Sequence, residues 1–321
     1  MGVRMWRGAI KQTLDYASWA YLPRTRLSTK QLYELIATDT VAPQGLFINM
    51  GYWRNAHTID HACEAMVQLL AETIQLGPDD VVLDVGFGFG EQDLYWMKRF
   101  APRRIVGVNI VPSQVMAARE RVAAGRMADR IHLHLASATD LPFEADRFTA
   151  ITALECGFHF ATRQHFFDEA YRVLQPGGRL VLSDIIPITR PHTWCQRWLF
   201  DQSWQTFTRT WASPLENAYP RAAYAEKLTE AGFGSVRVES IRDDVFRGYH
   251  DFCTSHPEYL RRLNPVIRLH HVTARIFGAD LVYGAFDYVI AMARKNSSLG
   301  PSVGAPRPTR QSASSSAGRA D

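Results

Sequence analysis

VLDVGFGFGEQD, residues 82–93, runs a short apolar segment into three alternating glycines and then into an acidic turn that can open a helix. Glycine at positions 86, 88 and 90 lets the backbone turn tightly and approach a bound molecule with no Cβ in the way. A helix starting there offers free N–H groups to an anionic group. Dinucleotide-binding turns want G-x-G-x-x-G/A, whereas here the next glycine is Gly90 and Gln92 lies two beyond it. Asp84 stands two positions before Gly86. Its charge repels a pyrophosphate and pairs with an ammonium, so the segment suits a cofactor carrying an amino group. The bland alternative is a plain strand-to-helix turn.

On both sides of this turn, between Asp80 and Asp184, short β-rich runs alternate with helical stretches. VVLDVGF, RIVGVNI, IHLHLAS, FTAITAL and RLVLSDI read as strands. Glu91 to Phe100, Pro112 to Ala124 and Arg163 to Leu174 read as the intervening helices. Strands alternating with helices imply right-handed crossovers and an α/β fold with a doubly wound sheet, whose ligand sits at the carboxyl ends of the strands. Two later runs, VRVESI and FDYVIAMAR, complete a mostly parallel seven-stranded sheet. The boundaries that follow are a helical N-terminal segment at 1–44, an α/β cofactor-binding core at 45–187, an aromatic acceptor region with the last strands at 188–295, and a tail at 296–321. The tail is rich in Ser, Pro, Gly and Ala without apolar periodicity, which predicts disorder.

At 46% hydrophobic and 21% charged the chain is an ordinary globular one, which excludes wholesale disorder or a collagen-like fibre. The net charge of +4 is unevenly placed: residues 1–30 carry a local +5, residues 296–321 a local +2, and the body is mildly acidic. Such a body has no basic stripe for a phosphate backbone, so nucleic acid is not an expected partner. No apolar run reaches the roughly 18 to 20 residues of a membrane span. Cys63, Cys156, Cys195 and Cys253 follow no metal-binding or disulfide spacing, and a reducing cytoplasm is expected, with no metal. In the first 40 residues Met5, Ile10, Leu14, Ala17 and Tyr21 drift down one helical face, and Leu32, Leu35 and Ile36 repeat the pattern. That helix packs on the domain, on a second copy in a homo-oligomer, or on anionic lipid.

The chemistry-bearing residues lie at strand ends. A side chain at the end of the second strand reaches the ribose of an adenosine cofactor; Asp or Glu is usual, and Asn109 stands here, with Gln114 just beyond. Ser137, Ala138 and Thr139 are placed to meet the adenine edge, or merely cap a turn. With Asp84 before the glycines, such a pocket is better suited to S-adenosylmethionine than to NAD. The fourth strand ends in ALECGFHF, with Glu155 lining the site and His159 available as general base, since imidazole titrates nearest neutrality. A histidine among phenylalanines also serves as plain core. Asp184 ends the fifth strand, either orienting His159, meeting substrate or capping a helix.

Taken together, VLDVGFGFGEQD, VGVNIVPSQ, SATDLPF and VLQPGGRLVLSDI resemble class I S-adenosylmethionine-dependent methyltransferases over about residues 45–190. FINMGYW, ALECGFHF, SDIIP and FDYVIAMARK are similar to the erythromycin 3''-O-methyltransferase group of natural-product enzymes. That resemblance implies a Rossmann-like fold, S-adenosylmethionine as cofactor, and a small-molecule secondary metabolite as acceptor, methylated on a sugar or polyketide hydroxyl. It further implies that Gly86, Gly88 and Gly90 contact the cofactor, that Tyr52 and Trp53 close over its methionine end, and that His159 is the base with Asp184 assisting.

Residues 192–211 hold six aromatics, and Phe200, Trp204, Phe207 and Trp211 are spaced to share one helical face. Trp194, Trp198 and Trp204, with Trp53, are the expected acceptor-binding residues, roofing a pocket for an apolar skeleton. Such a roof also fits C-methylation of a prenyl diphosphate, with aromatic faces stabilising a cation and Arg190, Arg197, Arg209 and Arg242 available for the phosphates. A cofactor-binding module without catalysis and a nicotinamide-dependent oxidoreductase are the readings from other classes.

Overall fold

The structure is a computed structural model that describes residues 28–36, 42–261, 263, 268, 276 and 278–297. One sheet of seven strands runs in the order β3-β2-β1-β4-β5-β7-β6. The strands are β1 (Val81–Val85), β2 (Arg104–Asn109), β3 (Ile131–Leu135), β4 (Phe148–Leu154), β5 (Leu174–Pro187), β6 (Gly234–Ser240) and β7 (Phe286–Arg294). Strands β1 to β5 pair in parallel, and β7 runs antiparallel to both β5 and β6.

The helices are α1 (Thr29–Ile36), α2 (Ile59–Thr73), α3 (Glu91–Arg99), α4 (Pro112–Ala124), α5 (Arg163–Val173), α6 (Trp194–Thr210), α7 (Arg221–Glu230), α8 (Arg242–Ser255), α9 (Pro257–Leu260) and α10 (Ala279–Val282). Helix starts follow the local chemistry. Thr58 and Thr162 cap α2 and α5 by accepting from the His61 and His165 amides, and Pro112 sits in the first turn of α4.

Alternate residues of the central strands feed two cores, one on each face. Val82 joins Met66, Leu70, Trp96 and Val122 of α2, α3 and α4, whereas Leu83 and Val85 join Phe166, Phe167 and Tyr224 of α5 and α7. With both faces covered, β1 and β4 read as near-continuous apolar runs rather than alternating ones. Because β1 leads to β2 on one side and pairs with β4 on the other, the crevice between them at the carboxyl edge is the place where a doubly wound sheet takes its ligand.

The sequence from about His250 to Phe277 reads as one long helical stretch, but the structure breaks it: α8 ends at Ser255, and Pro257, which cannot continue a helix, starts α9. The remainder of that stretch lies largely outside the described residues. So do the N-terminal amphipathic pattern before residue 28 and the tail from residue 298, together with the oligomer and lipid contacts expected of the former.

Candidate active site

A cavity of about 300 Å³ opens at the carboxyl ends of β1, β2, β3 and β4. Its floor is the glycine turn. Gly86 and Gly88 adopt φ of 77° and 56°, and a Cβ on Gly86 would sit 2.7 Å from the Cys156 sulfur. No L side chain takes that conformation cheaply, so the sequence needs glycine here. Gly90, in the left-handed region, instead starts α3 and packs against Ala118.

On the β2 side, Asn109 is used internally. Its Nδ2 donates to the Gln114 Oε1 at 2.9 Å, and its Oδ1 accepts from the Val111 amide at 3.2 Å. This fixes the Gln114 amide with its Nε2 buried on the cavity wall and without a partner. Ser137, Ala138 and Thr139 line the neighbouring wall.

Glu155 follows β4 with φ of 51°, a strained conformation for a non-glycine residue that holds its carboxylate at the cavity. Its Oε2 accepts from Tyr288 Oη at 2.7 Å and from the Met50 amide at 2.8 Å. Burial pushes its pKa up to about 7; those two donors oppose the shift and Asp184 adds to it. His159 sits in the 3₁₀ turn Gly157–His159, only 9% exposed and on the cavity wall. Burial pushes it down to about 3, against the pull of the Trp211 backbone and with Arg163 adding to the fall, so it is a neutral imidazole. Its Nε2 lies 2.9 Å from the Tyr33 hydroxyl of α1.

Several expected site residues stand elsewhere. Asp84 is wholly enclosed, accepting from Thr152 Oγ1 and Gln92 Nε2, and faces the equally buried Asp93 of α3. Burial raises both carboxyls, Asp93 further because Asp84 opposes it, and neither reaches the cavity to meet an ammonium. Asp184 pairs with Arg163, not with His159. Tyr52 stacks under Arg54, and the Trp53 indole donates to the Met50 carbonyl and packs on Phe252; neither lines the cavity.

The aromatic helix α6 does not roof the cavity. Trp204, 5% exposed, stacks on Phe207 and meets Phe286 as ordinary core, while Trp194 and Trp198 are 80% and 60% exposed. The shared face of Phe200, Trp204, Phe207 and Trp211 serves the sheet below, and the first half of the helix projects beyond it. Arg190 pairs with Asp201, and none of Arg190, Arg197, Arg209 and Arg242 lines the cavity.

What sequence reasoning missed is the roof itself: Thr29, Lys30 and Tyr33 of α1 with the preceding Ser28, and Ile48 over Gly88. The apolar stripe of α1 was legible, but Tyr33 lies beside that stripe, so periodicity alone gave it no role. Among the described residues no group of three or more His, Cys, Asp or Glu could hold a metal, and no helix is long and apolar enough to cross a membrane.

The cavity fits S-adenosylmethionine on its own chemistry. The Cβ-free turn leaves room for close backbone approach, the unpartnered Gln114 amide and the Ser137 and Thr139 side chains are polar groups with which a nucleoside can pair, and the Glu155 carboxyl, which ionises near pH 7, lines the same cavity as a counter-group for a sulfonium. Residues 83–182 match the methyltransferase domain model. Erythromycin 3''-O-methyltransferase of Saccharopolyspora erythraea is 37% identical over 306 residues, covering 90% of this chain and 97% of that protein. The 27-O-demethylrifamycin SV methyltransferase of Amycolatopsis mediterranei is 32% identical over 145 residues, 45% of this chain and 53% of that one. In fold, the chain is similar to geranyl diphosphate C-methyltransferase from Streptomyces coelicolor A3(2), with a TM-score of 0.60 at 18% identity over 74% of this chain and 80% of that one. The near full-length relationship, the glycine turn at the switch point and the seven-stranded sheet agree: the chain belongs to the S-adenosylmethionine-dependent small-molecule methyltransferases, in the family of erythromycin 3''-O-methyltransferase.

Proposed function

We propose that this methyltransferase methylates a hydroxyl group of a secondary metabolite of sugar or polyketide type, with His159 on the path of the departing proton. The observation that carries the reading is the neutral imidazole of His159 on the cavity wall, where a reacting hydroxyl can be relieved of its proton. Full-length similarity to an enzyme that acts on a 3''-hydroxyl supports the same chemistry.

S-adenosylmethionine, when bound, supplies an electrophilic methyl group on a sulfonium. Gly86, Gly88, Gln114, Ser137, Thr139 and Glu155 would hold it. The chain's own task is to align the acceptor oxygen, keep water out and remove one proton. The C-methylation alternative needs cations for a diphosphate, and among the described residues lining the cavity Lys30 is the one Lys or Arg. Hydroxyl methylation is therefore the better-supported reading.

A macrolide with a free 3''-hydroxyl on its sugar is the probe. Its turnover by His159→Gln should fall by roughly a hundredfold or more, while calorimetry with S-adenosylhomocysteine shows near-normal affinity. A variant that keeps most of its turnover would remove His159 from the reaction.

A further inference from the structure

We infer that Tyr33 of α1 is a second catalytic residue, which passes the acceptor's proton to His159; the inference rests on the His159 reading above.

Helix α1 lines the cavity through Thr29, Lys30 and Tyr33, with Ser28 just before its first turn. The Tyr33 hydroxyl is 2.9 Å from Nε2 of His159, and the two rings meet edge to face with centroids 5.2 Å apart. Phe158 flanks the imidazole at 4.1 Å, and Nδ1 is buried without a hydrogen bond of regular geometry. Nε2 is thus the nitrogen that pairs with the cavity-lining Tyr33 hydroxyl.

The direction of that hydrogen bond is set by the tautomer, and the relay uses the one with the proton on Nδ1 and the lone pair on Nε2. Burial, with Glu155 and Cys156 nearby, holds the phenol well above its ordinary pKa. Tyr33 therefore stays protonated and donates, His159 accepts, and the phenol oxygen keeps a lone pair for a further donor. A hydroxyl entering the cavity meets that oxygen on its way to Nε2.

The proton path balances. As the acceptor oxygen forms its bond to the methyl carbon and the methyl–sulfur bond breaks, the acceptor O–H proton passes to the Tyr33 oxygen. The original Tyr33 proton passes to Nε2 of His159. The phenol is regenerated, and the positive charge given up at sulfur ends on the imidazolium. That buried cation is strongly acidic and returns its proton to water when the product leaves.

Tyr33→Phe tests this, since it keeps the ring against His159 and removes only the hydroxyl. With the macrolide probe, kcat should fall at least tenfold, with calorimetric affinity for S-adenosylhomocysteine unchanged. In the cofactor-free protein, ¹⁵N spectra of labelled histidine should show the Nε2 resonance of His159 moving as it loses its donor.

An unmoved Nε2 resonance overturns the proposal, because the contact is then absent in solution. So does full or raised turnover of Tyr33→Phe: if His159→Gln is inactive beside it, the base stands and the relay falls. If both variants turn over normally, the His159 reading itself has failed.

Discussion

Arg163 and Asp184 meet in a fully buried ion pair, Nε to Oδ2 at 2.7 Å, with neither side chain exposed. The guanidinium also donates to the carbonyls of Ile185 and Asn217 and lies over the rings of both Tyr219 and Tyr224. Its partner supports the Gly157–His159 turn: Asp184 Oδ1 accepts from the Phe158 amide at 3.0 Å. Asn217 Nδ2 and Ser213 Oγ donate to the Phe158 carbonyl, and Asn217 also reaches the Phe160 carbonyl. The turn that carries His159 is thus hung on this pair, and Asp184 acts on its backbone rather than on the imidazole.

Breaking the pair from one side should be costly. Asp184→Ala leaves a buried guanidinium without its counter-ion, and the expected loss of stability is about 3 to 5 kcal/mol by denaturant titration. Replacing both partners, as Arg163→Met with Asp184→Leu, should recover part of that loss. An Asp184→Ala protein as stable as its parent would show that the pair holds nothing in place.

Trp204→Ala should act through the core. The indole packs on Phe207 and Phe286 and is 5% exposed, so its removal should cost about 3 to 5 kcal/mol. The acceptor KM of the protein that remains folded should change little. Trp194→Ala and Trp198→Ala, at the exposed end of the same helix, should stay within about 0.5 kcal/mol of the parent. A rise in acceptor KM with unchanged melting in Trp204→Ala would place this helix at the acceptor after all.

The contrast between Trp204 and Tyr33 shows how far sequence alone could carry the argument. The strands, the glycine turn and the strand-end positions that line the cavity were legible because they follow from local periodicity and from a turn that only glycine can make. Asp84 and Asp184 were misplaced because a carboxylate at a strand end can face the ligand or the neighbouring helix, and their partners Asp93 and Arg163 are fixed by packing. Tyr33 was invisible for the same reason: nothing in its local pattern says that α1 folds back over His159, 126 residues away.

Gln114 supplies a direct test of the nucleoside wall. Its Nε2 is the buried donor there without a partner, and a ribose hydroxyl or ring nitrogen would satisfy it. Gln114→Ala removes that contact and also leaves Asn109 Nδ2 with only its long bond to the Gly88 carbonyl. Affinity for S-adenosylhomocysteine should fall by about three- to twentyfold, the equivalent of one or two hydrogen bonds, with melting of the free protein altered by less than about 1 kcal/mol. Unchanged affinity would move the nucleoside to another wall of the cavity.

Glu155 sets a pH dependence whose sign can be worked out. Its carboxyl titrates near 7 in the folded chain, raised chiefly by burial, against the 4.5 of an unperturbed glutamate. Between those values the native state holds a proton that the unfolded state has lost, so stability falls as pH rises from about 4.5 to about 7 and then levels off. Glu155→Gln has no such proton and can still accept from Tyr288 and the Met50 amide. Its melting temperature relative to the parent should therefore climb across that window and stay level above it. The slope should not exceed about 1.4 kcal/mol per pH unit, the limit for one proton. His159 contributes with the opposite sign: burial lowers its pKa to about 3, so the stability it confers above pH 6.5 is lost as pH falls toward 3. Both proteins carry that loss, and it cancels in the difference between them. Calorimetric melting of parent and variant from pH 4.5 to 8 measures the difference, and a constant offset across the range would show that Glu155 is ionised throughout.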